Sequence, residues 1–275
     1  AALAALPREA AAANVSWTGG SNANWSRKQN WSTNTVPSAV DDAFLAATFS
    51  SGTSLALDGS FSVRSLTLTT ATTSSITASA GGDALTLVSG SLTRLTTAGG
   101  TQTLAARLVL GANAVWGVDG GGRLIVERPI DDGVATFGLT KSGTGTLVLG
   151  GTSTYGGPTS ITGGVLLVNG AVGGGASVGG GLLGGYGRIT GTVSGAGRIS
   201  PGDVAAGSQP GILTAAALTP EGGTDFAFRF TAATVDYAAT AASRNDVFRL
   251  TGSAAFSAAL GTGNVVDLFL DVPTV

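Results

Sequence analysis

One phrase recurs along this chain: four to seven apolar or threonine residues, then glycine, asparagine, aspartate or serine. SLALDG (Ser54–Gly59), VRSLTLTT (Val63–Thr70), ALTLVSG (Ala84–Gly90), LAARLVLG (Leu104–Gly111) and GRLIVERP (Gly122–Pro129) are instances. β-Branched residues inside and turn formers at the boundaries are the strand signature. No window carries the 3.6-residue stripe of an amphipathic helix, the alanine-rich start aside. Strands supplied this regularly point to a solenoid.

A parallel β-helix accounts for more than a sandwich does. Its rungs are short strands joined by tight corners, where glycine serves a backbone that must turn with positive φ. Val, Leu and Ile stack inward from rung to rung, and Thr and Ser face out. A sandwich would need the strands but not the recurrent glycine doublets; glycine is 45 of 275 residues. The expected architecture is all-β, with a parallel β-helix over residues 51–275. A Trp-rich cap over 14–50 and an alanine-rich arm over 1–13 precede it. At roughly 20 residues and ~4.8 Å per rung, the solenoid has about 11 rungs and is about 50 Å long.

Composition removes most chemistry. Charged residues make up 11% of the chain and the net charge is −2, with no basic stripe to neutralise phosphates, so nucleic acid is not expected as a partner. Cysteine and histidine are absent, which removes disulfides, thiol nucleophiles, the Ser-His-Asp triad and His–metal sites. No apolar run approaches the ~18 residues of a membrane helix. Low charge without cysteine fits an exported bacterial protein, and Ala1 reads as a mature end.

Residues 139–170, LTKSGTGTLVLGGTSTYGGPTSITGGVLLVNG, resemble the autotransporter-associated β-strand repeat. That pattern opens Lys-x-Gly-x-Gly-Thr-Leu-x-Leu, continues with an aromatic corner before Gly-x-Thr, and closes on Gly-x-Leu-x-Val. Lys141, Gly143, Gly145, Leu147, Leu149, Tyr155, Gly157, Thr159, Gly164, Leu166 and Val168 fall on it. GGYGRITGTVSGAGRISPGD (Gly184–Asp203), SQPGILT (Ser208–Thr214), NDVFRLTGSAAF (Asn245–Phe256) and the opening Trp17–Leu45 are similar to the family's flanking segments. The resemblance implies a right-handed parallel β-helix, secreted or displayed on a bacterial surface as a stalk or adhesive passenger. The family's membrane barrel and canopy of inserted domains are not found in these residues, which implies a processed passenger or a stand-alone relative.

Candidate sites are few. Asp41-Asp42 and Asp131-Asp132 are the adjacent carboxylate pairs. Neighbours on a strand point to opposite faces, so neither pair aims both groups at one bond, and both lie beside turn residues. GGYGRITG (Gly184–Gly191) begins like a calcium-binding nonapeptide but puts Ile189 in the place of the ligand aspartate. Trp17, Trp25 and Trp31 are expected to cap the open end of the solenoid, glycan stacking being the other use of such rings, for them and for Trp116. The Asn-x-Ser sequons at Asn14, Asn24 and Asn30 are discounted in a chain of bacterial type. No catalytic residue, cofactor or metal is expected. The arm, through Leu3 and Leu6, is expected to cross to another copy of the chain. The functional expectation is a non-enzymatic extracellular scaffold that self-associates in a filament, sheath or layer. A carbohydrate-binding or carbohydrate-processing passenger, taking surface or matrix polysaccharide, is the alternative.

Overall fold

The computed structural model describes residues 12–19, 22–45, 54–69, 73–95, 99–203, 211–227 and 247–251. Among them there is no α-helix, only a 3-10 turn at Lys28–Asn30. The strands form three sheets wound as a parallel β-helix. Among the described residues the front sheet has twelve strands, eleven in one path from Asn14–Ser16 to Val247–Leu250; the back sheet has nine and the side sheet four. The eleven layers begin at Asn14, so the first two front strands, Asn14–Ser16 and Asp42–Leu45, lie within the segment expected as the cap.

Alternation decides which residues enter the lumen. In Ser65–Leu68 the leucines are buried and Ser65 and Thr67 are half-buried. Across the front sheet Ala43 neighbours Leu66, then come Leu92, Trp116, Lys141, Ile161 and Val178. All of these are buried. Ile76, Leu104, Val126, Leu149 and Val168 stack the same way on the back sheet. Each fully buried aliphatic side chain is worth roughly 1.5–3 kcal/mol, so these files supply the main stabilising force.

The cross-section narrows part-way along. The side sheet runs from Phe61–Val63 to Ile130–Asp131 and then stops. Beyond it the third side is a corner, where Ile130 N–H donates to Ser153 Oγ at 3.2 Å and Thr154 N–H to the Ile130 carbonyl at 2.9 Å. Register partners close up accordingly: Trp116 pairs with Lys141, 25 positions on, whereas Ile161 pairs with Val178, 17 positions on.

Tight corners put backbone against backbone. A Cβ on Gly170 would strike the carbonyls of Gly150 and Gly151 in the preceding rung. Gly170 is not among the glycines with positive φ, so here glycine is required by space rather than by the expected left-handed turn. Gly164, at φ +63°, does meet that expectation.

The back sheet is buried on both faces over part of its length. Val148 and Leu167 point away from the lumen, yet are only 3% and 0% exposed. Past Arg198–Pro201 the chain returns to this outer face: Gly202 bridges Gly185 in antiparallel fashion, and Asp203 pairs with Arg123 at 2.9 Å.

The N-terminal end of the front sheet is closed by the chain itself. Trp31 bridges Trp17 in antiparallel fashion, and Ser32 N–H donates to the Ser16 carbonyl at 2.8 Å. The arm residues Leu3 and Leu6 lie outside the described residues. Ala13 is tied down, its N–H to Asp41 Oδ1 at 3.2 Å and its carbonyl to Asp42 N–H at 2.9 Å.

Candidate functional site

In each carboxylate pair one member bonds a turn or loop and the other, on a strand, pairs with an arginine. Asp41 accepts from Ser38 N–H at 2.9 Å and Ser38 Oγ at 2.6 Å. Those hydrogen bonds and the one from Ala13 hold its pKa below the usual carboxylate value against the opposing effect of burial. Asp42 pairs with Arg64 and accepts from Ser65 Oγ. Asp131 pairs with Arg107 at 2.6 Å. Asp132 accepts from Phe137 N–H at 2.9 Å and Gly156 N–H at 3.0 Å, joining its own loop to the next rung. Among the described residues no three acidic side chains gather as metal ligands. Ile189 is fully buried on its strand.

The tryptophans pack against one another. Trp17 and Trp31 meet edge to face with centroids 5.1 Å apart, and Trp25 and Trp31 at 4.8 Å. Trp31 Nε1–H donates to the Trp25 carbonyl at 2.8 Å. All three are buried, as is Trp116, whose Nε1–H donates to the Gly90 carbonyl at 2.9 Å, so no ring face stands open for a sugar. Among the sequons, Asn14 is exposed and Asn24 half-buried, whereas the Asn30 amide is buried and bonded to the carbonyls of Asn22 and Asn24.

Two cations lie inside the solenoid at the corner between front and back sheets. Arg94 is fully buried; it donates to the Asp119 carbonyl at 2.9 Å, the Gly100 carbonyl at 3.1 Å and the Gln102 side chain. Lys141, also fully buried, donates from Nζ to the carbonyls of Ser142 at 2.6 Å, Gly143 at 3.0 Å and Gly163 at 3.1 Å. Burial pushes its pKa down to about 8, with Asp119 pulling the other way. Further along the same rung, Tyr155 is buried with Oη 2.6 Å from Thr159 Oγ1. Burial pushes this phenol up to about 12, although the bond to Thr159 opposes the shift. Leu147, Leu149, Leu166 and Val168 line the lumen, and Gly143, Gly145, Gly157 and Gly164 form corners where a Cβ would meet neighbouring backbone.

The arrangement coincides with a known repeat. Residues 139–168 match the family model of the passenger-associated-transport-repeat. The Lys141 corner belongs to that repeat. No curated protein and no solved structure matches the chain. Every motif residue from Lys141 to Val168 falls inside the transport repeat, whose apolar positions fill the lumen.

Sequence reasoning found these residues but not the work of the lysine. The signal was present: in Leu-Thr-Lys-Ser, Lys141 shares a face with Leu139 and therefore has to point inward. Arg94 carries the same signal in Leu-Thr-Arg after Leu92. The Arg123–Asp203 pair had none, because it joins residues 80 positions apart.

Proposed function

We propose that this chain is a non-enzymatic structural β-solenoid of a bacterial cell surface, associating with further copies of itself in a filament, sheath or layer. What supports this reading is where the polar side chains go. Lys141, Arg94, Asp132 and Asp41 are spent on tying one rung to another. The match of residues 139–168 to the passenger-associated-transport-repeat supports an exported passenger region, which fits a surface location. Leu3 and Leu6 are the proposed contacts to a neighbouring copy, each worth roughly 1.5–3 kcal/mol when fully buried.

Negative-stain microscopy over a concentration series tests the proposal. Fibres or sheets that lengthen with concentration, and that vanish when residues 1–13 are deleted from a still folded chain, are expected. A full-length chain that stays monomeric at every concentration would refute it.

One observation favours the second reading, a carbohydrate-binding passenger. Thr140, Ser160, Ser177, Ser194 and Thr219 stand side by side in adjacent rungs on the outer face of the front sheet. Such a file of hydroxyls can donate to and accept from a polysaccharide. A melting temperature that rises with added surface polysaccharide, in a chain that does not assemble, would favour that reading.

A further inference from the structure

Lys141 sits in a file whose other members, from Ala43 to Val178, are all hydrocarbon or indole. An ammonium buried there is tolerable only if its protons meet acceptors. The acceptors are backbone carbonyls at two corners one rung apart: Ser142, the last residue of its own strand, and Gly143 in the turn that follows, then Gly163 from the next turn. Gly143 at φ +78° and Gly164 at φ +63° give both turns the left-handed geometry that a side chain disfavours. A Cβ on Gly164 would stand 2.9 Å from Nζ, so the second glycine also keeps the space open for the ammonium. A Cβ on Gly143 would stand 2.5 Å from Asp119 Oδ1, which places a carboxylate against the same turn. Three converging carbonyls and a nearby negative charge are the makings of a cation site. The 2.6–3.1 Å distances suit N–H···O bonds and exceed magnesium–oxygen contacts; calcium would need six to eight oxygens.

We propose that Lys141 is a tethered cation filling a carbonyl cage built by two successive turns, and that the cage accepts a free primary ammonium ion when the tether is removed. In this reading the Lys-x-Gly at Lys141–Gly143 is one device: the lysine brings the cation, and the glycine turns the carbonyls toward it. Burial that pushes Lys141 down to about 8 agrees with a cage that offsets only part of the desolvation, so a free ion binds weakly. The inference stands whether or not copies of the chain associate.

The test uses the full chain with Lys141→Ala, which removes three carbons and the ammonium, the atoms of propylammonium. Thermal unfolding is followed in propylammonium chloride, in tetramethylammonium chloride at equal ionic strength, and in 1-propanol. Propylammonium should raise the Tm of Lys141→Ala by about 3–6 °C for each tenfold increase beyond half saturation. The native chain and Lys141→Met, whose cavity is filled, should show no such rise. An equal response to tetramethylammonium, which has no N–H, or to propanol, which has no charge, would overturn the proposal. So would no rise beyond the native chain's. Should Lys141→Ala fail to fold, the native chain decides. It has two lysines, Lys28 exposed and Lys141 buried, so ¹⁵N-lysine labelling gives two ammonium signals. One should exchange its protons at least about tenfold more slowly than the other, as bonds to a charged donor demand. Equal exchange overturns the cage.

Discussion

Replacing Gly157 with alanine isolates the demand for space from the demand for an unusual backbone. Gly157 is not among the glycines with positive φ, yet a Cβ there would stand 2.5 Å from Gly138 N and Phe137 C, both backbone of the rung before. Ordinary contact requires the rungs to part by about an ångström. That stretches Gly157 N–H to the Phe137 carbonyl and Leu139 N–H to the Pro158 carbonyl, both 3.0 Å now, beyond bonding distance. Two lost bonds at ~1 kcal/mol each and overpacking of ~1–3 kcal/mol outweigh the ~0.4–1 kcal/mol gained by stiffening the unfolded chain. The net loss is about 3 kcal/mol. Two other glycines serve as controls. Gly121, at φ +65° with nothing within 4 Å of a Cβ, should lose about 1 kcal/mol from backbone strain alone. Gly82, free of both constraints, should gain up to ~1 kcal/mol. Urea unfolding reads the series: at a slope of ~3 kcal/mol/M, Gly157→Ala lowers the midpoint by about 1 M. If Gly157→Ala fell within 1 kcal/mol of Gly82→Ala, the argument from rung contact would be wrong.

Lys141 should give stability a rising slope between about pH 8 and 10.5. In that window the unfolded chain still holds the proton that the folded chain has released, and the slope should vanish in Lys141→Met. Tyr155 acts in the opposite sense. Its folded pKa is raised from 10.0 to about 12, so stability should fall as pH rises through that interval, and one of the three tyrosines should ionise only near its top in an absorbance titration. Tyr155→Phe leaves Thr159 Oγ1 without this partner and should cost about 1–3 kcal/mol by urea unfolding. Trp31→Ala removes the ring that touches both Trp17 and Trp25 and should cost about 3–5 kcal/mol, whereas Arg107→Ala, which takes the partner from the buried Asp131, should cost about 1–3 kcal/mol.

Local pattern was legible in the sequence, and contacts between rungs were not. Leu66 and Leu68 announce their burial by alternating with Ser65 and Thr67. Val148 and Leu167 belong to the unbroken runs TLVL and VLLV, which signal burial on both faces but not what lies on the second one. The end of the side sheet at Asp131 follows from register, and a one-dimensional phrase carries no register. Glycine content pointed correctly to corners, yet at Gly157 and Gly170 the cause is the neighbouring rung, which no local rule about turns contains. Lys141 was recognised as part of a motif; its three carbonyls come from two turns separated by about 20 residues, so the cage exists only once the chain has wound.

The pairing of Trp31 with Trp17 gives the solenoid a direction. A stack of parallel strands is a template for its own continuation, and an identical strand laid on its end finds donors and acceptors already in register. Here the Trp31 segment already occupies that end: Ser32 N–H holds the Ser16 carbonyl, and Thr18 N–H is bonded to the Asn30 carbonyl at 2.7 Å. At this terminus the front sheet therefore cannot be copied onward without first stripping away Trp31, along with its two aromatic contacts and its bond to the Trp25 carbonyl. For two copies of this chain to join through that edge, something other than simple continuation of the winding is needed.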